Sequence, residues 1–409
     1  MISFPDDNRA TPGFEASLIA DRIATRKEKR LEQNDGSRPR VLIALVGDMI
    51  QDPQTRIKYG TFLEALARQC RVVGVYNAKL RGLSRLFNAL IVWHPDKNKW
   101  KERANKNVAA FMARSRNVAR WAASMQGQAD AIIQLGVLFD AGRGGSPLPQ
   151  IIYTDYTAHL SAQQPEAGRS PLKGNAIRRW LQLEKNAMNR ADHICVRSDF
   201  VRKSIVNDYQ VASEKISIIG GGVNLENLPV PVERSPQKPP IALFIGSDFR
   251  RKGGDLLLKA FAQTRHRFPD ARLVLLTKDS VPPSLPLDGV QVMPLTWRRE
   301  EILDLYERAD LFVMPSRLET WGDVFLEAMA FGLPCIGVTG QAMNEIIRHG
   351  ETGYLVPPED VPALSEALMD LFSDAGKRFE MGNAARELVH SEFTWDHVVN
   401  RLVPILRSA

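Results

Sequence analysis

The chain has 409 residues, 44% of them hydrophobic, 25% charged and 8% aromatic, with a net charge of +7. That length points to two domains rather than one core, and the composition excludes disordered, fibrous and disulfide-stapled chains. The charge is uneven: residues 1–230 carry 34 Lys and Arg against 22 Asp and Glu, and the remainder carries 20 against 25, so an anionic partner would belong to the first half.

Residues 1–39 are polar and charged, with one helix-like stretch from Phe14 to Leu31, and read as a peripheral N-terminal extension. The first twenty residues hold Asp6, Asp7 and Glu15 and no apolar core of a secretory signal, so a cytoplasmic location is expected. The three cysteines, Cys70, Cys195 and Cys335, are far apart in apolar settings and are expected as buried thiols. Val41–Val46 is a continuous apolar run ending in Gly47-Asp48, the pattern of a buried parallel strand and its turn. A helix is predicted near Tyr59–Gln69 and a strand over Arg71–Tyr76. Helical patterning fills Lys79–Gln126, and strands follow at Ala131–Leu135, Gln150–Tyr153 and His193–Val196, with a helix around Ala176–Arg190.

Residues 228–240 hold five prolines and read as a linker. The pattern then restarts, with strands at Ile241–Ile245, Arg272–Leu276, Val290–Met293, Leu311–Met314 and Cys335–Val338, and closing helices at Pro362–Phe372, Gly376–Val389 and Val398–Leu406. Alternation of strand and helix in both halves predicts two α/β, doubly wound domains, 40–227 and 241–390, facing a cleft. The closing stretch 391–409 is a helix free to cross back to the first domain.

The chemistry concentrates between Tyr306 and Ile336. A strand ends at Pro315-Ser316, a loop carries Glu319 and Gly322, and a helix begins near Asp323 with Glu327 in its second turn. A helix N-terminus offers free backbone N–H groups and suits a pyrophosphate, while Gly322 lets backbone approach a ligand. Two carboxylates on one pocket can accept hydrogen bonds from sugar or ribose hydroxyls. Glu319, seven residues, then Glu327-Ala-Met-Ala with Gly332 and Pro334 resembles the E-x7-E signature of retaining GT-B glycosyltransferases, family 4 in particular. Four further blocks match in order: Ala191-Asp192 to Ser198, Ile216 to Asn224, Phe244-Ile-Gly246 leading to Lys252-Gly253, and Gly340 through Pro357.

The resemblance implies a GT-B fold of two Rossmann-like domains around a central cleft. It implies a metal-independent reaction without cofactor, in which a nucleotide sugar is the donor substrate. Glu327 would bind the donor ribose, Glu319 the transferred sugar, and backbone at Thr320, Trp321, Gly322 and Asp323 the sugar and phosphates. Gly246 lies in the donor loop, and Thr296 would lie near the base. Lys252 would neutralise the diphosphate. Ser247 stands where the family has a phosphate-binding arginine, leaving Arg250 and Arg251 as substitutes. On the acceptor side, Asp155 and His159 are candidates for contact with sugar or acceptor, against a capping aspartate and a surface histidine. The implied acceptor is a glycan or lipid-linked molecule in cell-surface polysaccharide or lipopolysaccharide assembly. A nucleotide-sugar epimerase and a non-catalytic sugar-nucleotide binder are the alternatives.

The insert 78–128 holds eleven Lys and Arg against two acids. Leu80, Leu83, Leu86, Phe87, Leu90 and Ile91 make one apolar helix stripe, with Trp93 and Trp100 beyond it. Periodicity alone favours a stripe facing the core. The charge and the tryptophans suit instead the surface of an anionic membrane, which would make the protein peripheral on the inner face of the cytoplasmic membrane. No nucleic-acid motif accompanies the charge.

Overall fold

In a computed structural model, the structure describes residues 38–164, 172–231 and 239–408. The helix expected at Phe14–Leu31 and the middle of the Pro-rich linker lie outside the described residues.

Two all-parallel sheets of six strands form the two halves. The first has the order β2-β1-β3-β4-β5-β6, from β1 (Arg40–Leu45), β2 (Arg71–Asn77), β3 (Ala131–Leu135), β4 (Gln150–Thr154), β5 (His193–Val196) and β6 (Ile216–Ile218). The second runs β12-β11-β10-β7-β8-β9, from β7 (Ile241–Ile245), β8 (Arg272–Thr277), β9 (Val290–Pro294), β10 (Leu311–Val313), β11 (Cys335–Val338) and β12 (Gly353–Val356). Strand β1 shows why such strands read as unbroken apolar runs. Val41, Ile43 and Leu45 pack on one face and Leu42 and Ala44 on the other, so a covered sheet buries both parities.

Helix α1 (Pro53–Gln69) starts six residues before the sequence suggests. Asp52 caps it by accepting from the Gln54 N–H, and Pro53 takes the first-turn position where no N–H is needed. The insert forms three helices, α2 (Gly82–Ile91), α3 (Lys97–Asn105) and α4 (Val108–Ser124). Only α4 feeds the core, through Phe111, Val118 and Ala122. The stripe of α2 does not face inward as periodicity favours. Leu83, Leu86, Phe87, Leu90 and Ile91 are exposed, and the buried residue of that helix is Asn88. The first half is completed by α5 (Ala158–Gln163), α6 (Asn175–Arg190) and α7 (Asp199–Tyr209).

In the second half, α8 (Gly254–Arg265), α9 (Arg299–Arg308), α10 (Asp323–Ala330), α11 (Val361–Ser373) and α12 (Ala375–Glu392) cover the sheet. The last helix, α13 (Trp395–Ser408), belongs to the first core. Trp395, Val398, Val399, Leu402, Val403 and Leu406 pack with Phe62 and Leu66 of α1 and with β1. The chain therefore crosses between the halves twice, and the two passages are bonded to each other where the Val223 N–H donates to the Phe393 carbonyl at 2.8 Å.

Candidate active site

In the second sheet the strand order reverses between β7 and β10, and in open α/β sheets ligands bind beyond the carboxyl ends of strands at such a point. Both loops carrying the expected donor residues leave from there. The β7 loop carries Gly246, Arg250, Arg251 and Lys252 into α8, and the β10 loop carries Glu319 to Gly322 into α10. The two loops are tied along their length. The Arg317 N–H donates to the Arg251 carbonyl at 2.8 Å, and Ser316 Oγ donates to the same oxygen at 3.3 Å. Gly253, at φ +76°, brings α8 against β10 so closely that a Cβ would stand 2.0 Å from the Pro315 carbonyl oxygen, which only glycine permits.

On this frame Lys252 Nζ forms a buried ion pair with Glu319 Oε2. Arg251 is buried as well, but its guanidinium is engaged on the protein, donating to the Leu318 carbonyl at 2.9 Å and to Asp248 at 3.2 Å. Gln341 completes the support: its side-chain carbonyl accepts from the Glu319 N–H, and its amide donates to the Arg317 carbonyl at 3.0 Å. Arg251 and Gln341 thus position the loop that presents Glu319. The side chain of Arg250 is largely exposed, 3.6 Å from Asp255.

Glu327 does not share that pair. It lies on α10, 5% exposed, and Arg299 grips it with two bonds of 2.9 and 3.1 Å while the Tyr306 hydroxyl donates at 3.1 Å. Burial pushes its carboxyl above the usual range, and the charge and hydrogen bonds of Arg299 pull it part of the way back. Arg299 also donates to the Asn224 carbonyl at 2.8 Å, so it joins this carboxylate to the end of the first half.

Further contacts cross the cleft. Arg197, at the end of β5 and 2% exposed, donates to the Asp323 carboxylate at 2.8 Å and lies over the rings of Tyr153 and Trp395. Ser198 Oγ donates to the Thr320 carbonyl at 3.0 Å, and Glu345 accepts from the Asp199 N–H at 2.9 Å and the Phe200 N–H at 3.3 Å, across the cleft at the N-terminus of α7. The Gly220–Gly222 loop fits between these parts. A Cβ on Gly221 would meet Trp321 Nε1 at 2.8 Å, and one on Gly222 the Trp395 backbone nitrogen at 2.5 Å. Trp321 is buried, and its Nε1 finds no acceptor among the described residues.

Asp155 is 3.2 Å from Lys58 Nζ on α1. Burial works most strongly against the Lys58 ammonium, but Asp155, Tyr59 and Asp323 together outweigh it and hold the group above its ordinary range. His159 turns elsewhere, with its ring Nε2 3.4 Å from Asp208 and its backbone N–H donating to the Tyr209 hydroxyl at 3.1 Å. Thr296 follows β9, where its hydroxyl accepts from the Arg298 N–H at 3.1 Å. It lines a cavity of about 990 Å³ along β8 and β9 that reaches Met293–Thr296 but neither Lys252 nor Glu319. The partners Lys58, Arg197, Arg299, Tyr306 and Gln341 were missed by sequence reasoning. Lys58 and Arg197 lie 97 and 126 residues from their partners, and no local pattern couples them.

Two doubly wound sheets, with a basic and acidic constellation at the crevice of the second, define the GT-B class. Residues 230–388 match the family of glycosyl transferases group 1, and residues 61–227 match glycosyltransferase family 4. The chain belongs to the GT-B glycosyltransferases of the family 4 type. It is 25% identical over 249 residues to a D-inositol 3-phosphate glycosyltransferase of Corynebacterium urealyticum, covering 55% of this chain and 58% of that one. It is 35% identical over 170 residues, 39% of this chain and 44% of the other, to a GDP-mannose-dependent monoacylated alpha-(1-6)-phosphatidylinositol monomannoside mannosyltransferase of Corynebacterium glutamicum. The chain thus spans about half the length of these two relatives. Among solved structures, the sucrose-phosphate synthase from Thermosynechococcus elongatus has the same fold, with a TM-score of 0.65 at 20% identity over 91% of this chain and 99% of that one.

Proposed function

We propose that the chain is a retaining, metal-independent glycosyltransferase that moves a sugar from a nucleotide-sugar donor to a glycan or lipid-linked acceptor. One observation carries the reading: Lys252 and Glu319 are paired on the loops of adjacent strands at the crevice, where α10 begins. A donor diphosphate entering there meets the Lys252 ammonium and the free N–H groups of that helix, which together stabilise the charge that grows on the leaving phosphate. These groups supply the electrostatic work that a divalent ion would otherwise do. Glu319, freed from Lys252 by the incoming diphosphate, accepts from hydroxyls of the transferred sugar. Glu327 accepts from the ribose, and Thr296 lies on the base side. A phosphate oxygen of the leaving group takes the acceptor proton, so no side-chain nucleophile is required. Asp155, on the loop after β4, faces the acceptor.

The acceptor class draws on the phosphatidylinositol monomannoside acted on by the mannosyltransferase relative. We place this chain in cell-surface polysaccharide or lipopolysaccharide assembly, on the inner face of the cytoplasmic membrane and against its anionic surface. Among the described residues no helix is long and apolar enough to cross a membrane.

The test is a panel of nucleotide sugars assayed for slow donor hydrolysis, with the anomer of the released sugar read by NMR. One donor should be hydrolysed with retention, and Lys252→Ala should lower kcat/KM by about 10²–10³-fold. Inversion would overturn the stereochemical part of the proposal. Hydrolysis at an unchanged rate in Lys252→Ala would overturn the site.

A further inference from the structure

Helix α2 turns one polar residue, Asn88, inward and its apolar stripe outward. The buried Asn88 amide donates to the Ala104 carbonyl at 2.8 Å and its oxygen accepts from Asn107 at 2.9 Å, while Trp100 Nε1 donates to the Ala89 carbonyl at 2.8 Å. These bonds clamp the inner face of α2 onto α3 and the start of α4. The outer face carries Leu83, Leu86, Phe87, Leu90 and Ile91, between 55% and 83% exposed, and Trp93 follows at 62%. Single exposed leucines are ordinary on a protein surface, but a contiguous ridge of six large apolar side chains marks a contact site. The ridge cannot turn inward, because the bonds of Asn88 already occupy that side.

The surroundings select the partner. Lys79, Arg85, Lys97, Lys99 and Lys101 are exposed around the ridge, in a segment with eleven basic and two acidic residues. An apolar ridge with a basic border and a tryptophan at its edge matches a surface that is hydrocarbon below and anionic above. The location is also informative. Helix α2 follows the carboxyl end of β2, where Asn77 accepts from the Gly47 N–H on the first cleft loop at 3.3 Å, so the ridge stands on the rim of the cleft.

We propose that α2 is an interfacial anchor. Its ridge enters the boundary between headgroups and acyl chains of an anionic bilayer, the lysines of α3 bind lipid phosphates, and the mouth of the cleft is held against the lipid surface. This names the element that makes the membrane contact and rests on the proposed function only for its purpose. Binding can be measured with neither donor nor acceptor.

The experiment is flotation of the full chain with vesicles of phosphatidylglycerol and phosphatidylethanolamine, compared with phosphatidylcholine alone. The chain should float with the anionic vesicles and bind neutral ones at least ten-fold more weakly. Leu86→Ser/Phe87→Ser/Leu90→Ser should lower partitioning at least ten-fold with an unchanged circular dichroism spectrum. Lys97→Gln/Lys99→Gln/Lys101→Gln should weaken binding and flatten its salt dependence. Failure of the wild type to float with anionic vesicles, or equal flotation of the serine variant, overturns the anchor. So does a dimer in light scattering that the serine variant abolishes while vesicle binding persists, because the ridge would then belong to a second copy. Flotation without donor hydrolysis by any form of the chain would remove the transfer reading and leave the anchor standing.

Discussion

Replacing Arg299 by methionine is expected to destabilise the second half in a pH-dependent way. The change removes two bonds of 2.9 and 3.1 Å from Glu327 and leaves only the Tyr306 hydroxyl on a carboxylate that is 5% exposed. Removing one partner of a buried pair costs about 3–5 kcal/mol, and because the Arg299 side chain is 23% exposed the lower end, about 3 kcal/mol, applies. Losing the Arg299 charge and hydrogen bonds drives the Glu327 carboxyl further upward. The starting value is already raised by burial. An acid with a raised folded-state pKa contributes stability below its unfolded value and loses it as pH rises through the folded value. Arg299→Met moves that folded value higher still. The deficit of the variant should therefore be smaller near pH 5 than near pH 8, because protonation of Glu327 removes its need for the guanidinium. Thermal midpoints at the two pH values measure it, and Arg299→Met/Glu327→Gln should recover most of the loss at the higher pH. Equal deficits at both values, unrelieved by the glutamine, would refute the electrostatic account and leave only lost packing of the arginine stem.

The cleft-crossing contacts should be equally measurable. Arg197→Met and Asp323→Asn in a double-mutant cycle should show a coupling of about 1–3 kcal/mol in denaturation, and additivity would mean that the pair does not hold the halves together. Gly222→Ala places a Cβ 2.5 Å from the Trp395 backbone nitrogen and should cost about 1–3 kcal/mol, with faster proteolysis near Phe393; an unchanged midpoint would show that α13 can shift to make room.

The second half was far more legible in the sequence than the first. The region from Tyr306 to Ile336 folds as its pattern suggests, because strand, loop glycine and helix start are all local signals: β10 ends at Val313, Gly322 has φ +102°, and α10 begins at Asp323. The placement of Lys252 beside Glu319 also follows from local order once the two loops are known to leave adjacent strands. The identity of the partners around them does not. Nothing near Glu327 marks Arg299 as its counter-ion, and nothing near Asp155 marks Lys58, since those distances are set by packing and not by spacing. Helix α2 shows a different limit. Periodicity correctly finds an apolar stripe, but a stripe states only that one side of a helix differs from the other. Which side turns inward was decided by Asn88, a single polar residue whose partners lie on α3 and at the cap of α4.

The return of the last helix to the first core governs the order in which the protein can be made. Residues 395–408 supply a wall against β1 and α1, so during synthesis the first sheet waits without that cover over Val41, Ile43, Phe62 and Leu66 until those residues have left the ribosome. The second half draws its core from residues between Val223 and Phe393, so it can close before α13 emerges. Maturation of this protein thus runs out of sequence order: the domain translated first is sealed last, and during that interval its open face is a target for chaperones or for aggregation.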